Sequence, residues 1–520
     1  MHILKSEDVN VPCEVAARIL QSHTDNCGIY FDVDRMVDYK VQDYMELRPL
    51  MQEWALLLGP RYASLSPTQY AQVAIAVKNR FGLSEETLWA SEHDHKISIN
   101  SDVRARLIDD PLASEDLKRF CKVYDKISKI NHDLSYLDQY LNLPLASMRS
   151  FDGHRMTIGK PIWSKLSTSR VSAKYPSVQN IARSRTDIIT YPRGFIYVRA
   201  DSGQIEPRIT WSYFCHDPVL KGLITAYNDA YYGQLHYAMM PIEELKAYQA
   251  NPALITCKVP FYRAELEMLD NLHTADPAKV MELMERAGKH PTMRRMLAHS
   301  DRPLTSSEMA EYIIIADDRQ DLKKLALSAT YGCETFEGID PKLVAGYKAR
   351  IVQHPERLRL ERMYQEMAAA GEDTCYSAFG SPITPEETDK YKKGTKAWVR
   401  HLVRCFINNP VQTTAADLMN YAVVKADQLI NQYAKGYTYI NFGKHDELAF
   451  LIDERDTALV DELSEMTAYQ VDDWIPIYAD REDGVKRPKN WRDTPTIDAY
   501  DSVAEEEART RALKERLGLI

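Results

Sequence analysis

The chain has 520 residues, 45% of them hydrophobic and 27% charged, so it can bury large cores and should divide into several domains or subdomains. A net charge of -10 excludes a whole-surface attraction to nucleic acid and leaves only local basic patches for that purpose. The 8 cysteines lack C-x-x-C spacing, which argues against a zinc site or a disulfide framework, and no signal segment or apolar run near the roughly 20 residues of a membrane span occurs, so a cytoplasmic protein with no membrane partner is expected.

Residues 12–150 read mostly as helices. Ser66-Pro67 has the character of an N-cap followed by a first-turn proline ahead of Tyr70 and Val73, and Ser101-Asp102 opens another helix before Val103 and Leu107. Lys118, Arg119, Lys122, Lys126 and Lys129 recur along one helical stretch. Lys390, Lys392, Lys393, Lys396, Arg400 and Arg404 recur along a later one, interleaved with Trp398 and His401. Taken alone, each reads more readily as a solvated face than as a nucleic-acid surface. Residues 144–191 read as a polar, loop-rich stretch. Phe195 to Val198 then forms a strand running into Asp201, and a helix begins near Gln204 with Pro207 in its first turn, where proline is tolerated. Residues 240–318 have a charged, methionine-rich helical pattern without a motif. Arg319, Lys323, Leu327 and Tyr331 repeat every four residues and share one helix stripe. Residues 406–435 read as a further helix. Tyr437 to Phe442, a Gly443-Lys444 turn and Leu448 to Ile452 then make a hairpin with His445 and Asp446 at its tip.

Two carboxylate clusters, Asp201 and Asp446-Glu447, thus sit at strand edges. Two divalent cations roughly 3.5 to 4 Å apart need carboxylates held rigidly between them, and strands hold side chains better than loops do. Arg319 and Lys323 on one helix face suit a triphosphate: the guanidinium forks onto one phosphate, while the ammonium meets developing charge and can donate a proton to departing pyrophosphate. Each cluster alone is equally an ordinary turn, and the basic stripe an exposed face. Their conjunction points to phosphoryl transfer.

These segments resemble, in the same order, the family A DNA polymerases, the group of bacterial DNA polymerase I. Asp201-Ser202-Gly203-Gln204-Ile205-Glu206-Pro207-Arg208 resembles the first palm motif, Arg319 through Tyr331-Gly332 the fingers helix, and His445-Asp446-Glu447-Leu448 the last palm motif. Thr168 to Ser172 with Val178-Gln179-Asn180-Ile181, Ile407 through Asp417, Cys27 through Asp32 and Asn490-Trp491 also have counterparts. The resemblance implies an α+β right-hand polymerase fold with a helical thumb, an antiparallel-sheet palm and helical fingers. Its expected parts are a lead-in over 1–35, a thumb over 36–150, a first palm segment over 151–237, fingers over 238–404, a second palm segment over 405–498 and a charged helical tail over 499–520. Within the fingers, an insertion falls at about 240–318 and the nucleotide-binding helix at 319–332.

The resemblance also implies roles. Asp201 and Asp446 would hold two magnesium ions, with manganese as a substitute, aided by Ser202 and with Glu447 in support. Arg319, Lys323, Leu327, Tyr331, Gln204, Glu206 and His236 would contact the deoxynucleoside triphosphate, Glu206 and Tyr331 closing the space of a 2′-hydroxyl. Arg170, Gln179, Asn180, Arg208, Gly332, Arg404, Asn408, Gln412 and His445 would contact primer-template DNA, several of them in the minor groove, where acceptors lie similarly for every base pair. Ser202, Gly203, Pro207 and Leu327 depart from the family's usual residues, so substrate selectivity is left open. The resemblance begins near residue 10, at the thumb lead-in, so no proofreading exonuclease is expected. A separate exonuclease, primase or helicase, or processivity factor then becomes an expected partner, in the manner of a phage or mobile-element enzyme acting in bacterial or infected-host cytoplasm. Two other readings are a single-subunit RNA polymerase, which lacks an acidic gate like Glu206, and an inactive polymerase-fold scaffold for nucleic acid.

Overall fold

The computed structural model describes residues 2–9, 11–91, 94–166, 168–203, 205–214, 259–262, 313–316, 355–388, 391–472, 474 and 477. In chain order it begins with β1 (His2–Leu4), α1 (Cys13–Cys27), β2 (Ile29–Asp32), α2 (Val33–Leu58), α3 (Tyr70–Phe81), β3 (Trp89–Ser91), β4 (Asp94–Ile97), α4 (Ser101–Asp109) and α5 (Glu115–Leu141). Strands β5 (Met156–Gly159), β6 (Ile162–Lys165), β7 (Val171–Lys174), β8 (Ile189–Thr190) and β9 (Phe195–Asp201) lead into α6 (Ile205–Phe214). After β10 (Val259–Tyr262) and β11 (Ile313–Ala316) come α7 (Pro355–Ala369), β12 (Cys375–Tyr376), β13 (Pro382–Ile383), α8 (Lys396–Tyr433), β14 (Tyr439–Lys444), β15 (Glu447–Asp453), α9 (Val460–Ser464) and β16 (Tyr469–Val471).

The central sheet has the order β14, β15, β9, all antiparallel, and a second sheet has the order β5, β2, β8. Every residue of β15 is buried, as expected for a middle strand covered on both faces. Helices α1 and α8 pack on β14, and the apolar side chains of both sheets and both helices merge into one large core. Helices α2 to α5 close a second core around Trp54, Phe120 and Tyr124, with ring centroids 4.8 and 4.9 Å from Trp54. The Tyr124 hydroxyl donates to the Pro67 carbonyl at 2.6 Å, and Arg104 lies over the Tyr124 ring while binding Asp125. A third, smaller core joins α7 to the start of α8.

Several boundaries differ from the sequence reading, and at the helix starts the reason is which side chain satisfies the end of the element. Ser66 does not cap α3. Its hydroxyl meets Thr68 and its N–H donates to the Gln69 side chain, which makes a turn, and the helix starts at Tyr70. Asn100, not Ser101, caps α4 by accepting from the Val103 N–H at 2.9 Å. Thr395 caps α8, whose first residue Lys396 lies ten residues before the start read from the sequence, with Pro410 inside the helix. The stretch read as loop over 144–191 contains β5 to β8, whose strands are too short to show a period. Gly443 and Lys444 pair with Leu448 and Glu447 as part of β14, so the turn is His445-Asp446 alone. Within 240–318, the described residues are the parallel strands β10 and β11, not helix.

Gly28 shows how tightly β5 packs against the start of β2. Its φ is 71°, outside the range most side chains adopt, and a Cβ placed there would lie 2.4 Å from Ile158 Cγ1. Replacing it should cost more than the backbone term alone. Gly371, at φ 85° with nothing within 4 Å, supplies the comparison. In thermal unfolding, Gly371→Ala should destabilise by about 1 kcal/mol and Gly28→Ala by roughly twice that or more, measured as separate losses of melting temperature. Equal effects would show that the Ile158 contact is not constraining.

Candidate functional site

Strand β9 pairs with β15 along its whole length, from Phe195 opposite Asp453 to Asp201 opposite Glu447. The Ser202 N–H continues the ladder by donating to the Asp446 carbonyl at 2.8 Å. Asp201 and Asp446, remote in sequence, therefore meet at one end of adjacent strands, both half-buried. The sheet interior behind them is apolar: Val198, Ala200, Leu448 and Phe450 are almost wholly enclosed. His445 has φ 57°, a left-handed conformation that costs a non-glycine residue on the order of 1 kcal/mol and is imposed here by the strands on either side. The hairpin thus aims its tip by force of pairing.

Glu447 is buried, its side chain only 8% exposed, and Arg199 grips it with Nε 2.5 Å from Oε1 and Nη2 3.4 Å from Oε2. Arg199 and Asp201 are two residues apart on one strand and Glu447 faces Asp201, so all three share a face. Burial works against the Arg199 charge, yet Glu447 and then Asp201 outweigh it and hold the guanidinium above its ordinary pKa. Ser202, next along β9, points the other way. Its hydroxyl donates to the Thr467 carbonyl at 3.0 Å, with Met419 Sδ nearby.

A cleft of about 200 Å³ opens beside this sheet end, lined by Arg170, Gln179, Asn180, Asn420, Lys444, His445 and Glu447. Arg170 sits at the β6–β7 turn and forms an ion pair with Glu206 in the first turn of α6. Asn420 of α8 holds that turn by donating to the Ser169 carbonyl at 3.2 Å. Gln179 spends its amide on structure, donating to the Val171 and Gly443 carbonyls and accepting from the Ala173 N–H, which ties β7 to the β14–β15 hairpin. Asn180 is exposed and donates to Tyr136 and Ser177.

Arg208 is buried and donates to the Gly203 carbonyl at 2.9 Å, bracing the turn after Asp201. Arg404, Asn408 and Gln412 follow one another at four-residue spacing on one face of α8, the first exposed and the others half-buried. Asn408 Oδ1 is buried without a hydrogen-bond partner among the described residues. Asp417, farther along α8, accepts from Ser377 at 2.6 Å and Ser381 at 3.0 Å, and burial raises its pKa, so it anchors the β12–β13 hairpin. Gln204, His236, Arg319, Lys323, Leu327, Tyr331 and Gly332 lie outside the described residues, as do Asn490-Trp491 and residues 499–520.

Sequence reasoning missed Arg199 and Asn420. Period-two alternation back from Asp201 would have put Arg199 on the carboxylate face; nothing local marks Asn420. It also missed Asp32, Asp34 and His154, whose donor atoms lie within 4.8 Å of one another. Arg35 and Arg155 already compensate these carboxylates. The hydrogen bond that the His154 ring makes to the Asp32 carboxylate, opposed by partial burial, raises the His154 pKa. That cluster is an ionic clasp between α2 and β5.

No protein-family model matches the chain, and no curated protein matches it. Among solved structures, the POL domain of Pol1 from M. smegmatis, in complex with DNA primer-template and dNTP, superposes with a TM-score of 0.56 at 16% identity, over 87% of this chain and 66% of that one. At that identity the likeness shows the fold: a mixed helix and sheet architecture resembling a DNA polymerase domain. This chain spans less than two thirds of that neighbour. No helix among the described residues is long and apolar enough to cross a membrane.

Lost hydration lowers the His445 pKa, and the Arg170 and Lys444 cations act in the same direction against a weaker opposing effect of Glu206. Removing Arg170 deletes one cation and leaves Glu206 facing the ring. The His445 midpoint in an NMR titration should therefore lie below the ordinary histidine value and rise in Arg170→Ala. An unchanged or lower midpoint in the variant would contradict this electrostatic grouping.

Proposed function

We propose that this chain is a template-directed DNA polymerase of the family A kind, which adds deoxynucleotides to a primer 3′ end. The observation that supports it most is the antiparallel β9–β15 register, which pairs Asp201 with Glu447 and so brings it beside the adjacent Asp446, next to a cleft that His445 and Glu447 help to line. The donor set is made of hard carboxylate oxygens, which suits magnesium or manganese and not a soft metal. Bound there, two such ions would lower the pKa of the primer hydroxyl and take up charge on the triphosphate. Asp201 and Asp446 would hold them, and the rigid sheet would keep the carboxylates in place.

The remaining roles follow the same reading. Arg170 and His445 would face the minor groove at the primer end, and Arg404, Asn408 and Gln412 would extend that contact along α8. Glu206 would face the nucleotide sugar. Glu206 is ion-paired with Arg170, so the two proposed contacts would be neighbours. Helices α2 to α5 would form the thumb, and the exposed Lys122, Lys126 and Lys129 of α5 would lie along the duplex backbone. Arg319, Lys323, Leu327, Tyr331, Gln204 and His236 would bind the triphosphate. Primer-template DNA and deoxynucleoside triphosphates, present with the M. smegmatis Pol1 domain, are the proposed partners here.

Asp446→Ala should lower primer extension by about 10² to 10³-fold or more while leaving primer-template affinity within a few-fold. A gel-resolved extension assay paired with fluorescence anisotropy separates the two quantities. Full extension by the variant would overturn the reading. Glu206→Ala should narrow the preference for deoxynucleotides over ribonucleotides by about tenfold or more. Single-nucleotide insertion kinetics would read this, and an unchanged ratio would remove Glu206 from the sugar contact.

A further inference from the structure

We propose that Arg199 is a built-in counter-cation of the carboxylate site: it withholds Glu447 from metal ligation and sets how weakly divalent cations bind at Asp201 and Asp446 before a nucleotide arrives. The inference rests on the polymerase reading of those two acids. Its own support is the geometry of one strand pair.

Asp201 and Glu447 face each other across two strands, and Asp446, the last turn residue before Glu447, adds a third carboxylate beside them. Arg199 brings one positive charge onto the face shared by Asp201 and Glu447. Its fork occupies both oxygens of Glu447, at 2.5 and 3.4 Å, in a place where the two side chains are only 16% and 8% exposed. Glu447 would have to abandon that fork inside the sheet to reach a cation, and little water is available to replace it. The guanidinium also feels Asp201 directly. At a few ångströms and intermediate dielectric, a fixed positive charge opposes a divalent ion by enough to change its affinity by about tenfold or more. Arg199 therefore acts as a positioning residue that touches neither primer nor nucleotide.

The test uses the full chain with manganese(II) alone, without DNA or nucleotide, and reads the free-ion signal by electron paramagnetic resonance. Arg199→Gln should bind manganese about tenfold or more tightly than the unaltered chain, because Glu447 is released and the opposing charge is gone. Arg199→Lys, which keeps the charge and loses the fork, should tighten binding less than Arg199→Gln. Arg199→Gln with Glu447→Gln should fall back toward the original affinity. A purely structural brace predicts instead a lower melting temperature with manganese affinity within about twofold, and that result, or weaker binding in Arg199→Gln, overturns the proposal. Should Arg199→Gln fail to fold, a manganese-soaked crystal of the unaltered chain decides: the fork on Glu447 stays closed, and Glu447 among the metal ligands overturns the proposal. If the unaltered chain binds no manganese that Asp446→Asn removes, the polymerase reading itself fails, which separates the two outcomes.

Discussion

The antiparallel ladder between β9 and β15 is the constraint on which the site depends. Asp201 and Asp446 are far apart along the chain, and only the seven-residue register from Phe195 opposite Asp453 to Asp201 opposite Glu447 makes them neighbours. A slip by one residue would turn every side chain of β9 to the other face, moving Asp201 away from Glu447 and burying a carboxylate against the core. The register is fixed by burial on both faces of β15, while the two-residue His445-Asp446 turn fixes that of β14 on the other side of the same strand. Polar chemistry at the sheet edge is held by apolar packing behind it.

That arrangement has a cost. Arg199 and Glu447 are taken largely out of water, and removing either partner would leave the other charged and buried, a loss of about 3 to 5 kcal/mol. An ion pair so placed is weak evidence of added stability and better understood as a way to carry charge into an apolar sheet. Arg170 and Glu206 make a second, more exposed pair at the mouth of the cleft, and Lys444 reaches the Ile181 carbonyl across it. The cleft is therefore bounded by cations whose partners are carboxylates or carbonyls of neighbouring elements.

Much of this was legible in the sequence, for physical reasons that differ by residue. A strand ending at Asp201, a helix beginning just beyond Gln204 and a hairpin presenting His445 and Asp446 follow from apolar runs and turn chemistry, and the structure has all three. The partnership of Arg199 with Glu447 was not legible, since it depends on cross-strand register, which no local pattern encodes. That Gln179 staples two hairpins was not legible either; its amide satisfies backbone groups that only the folded chain brings within reach. The strands over 144–191 were invisible because each is four residues or shorter, too short to show a period-two pattern.

The most direct test of the central claim is rapid-quench extension by the purified, unaltered chain on a defined primer-template in magnesium, supplying one deoxynucleotide at a time. The account predicts that a single nucleotide is added, and only the one complementary to the templating base. Absence of extension in both magnesium and manganese, or addition that ignores the template, would contradict it.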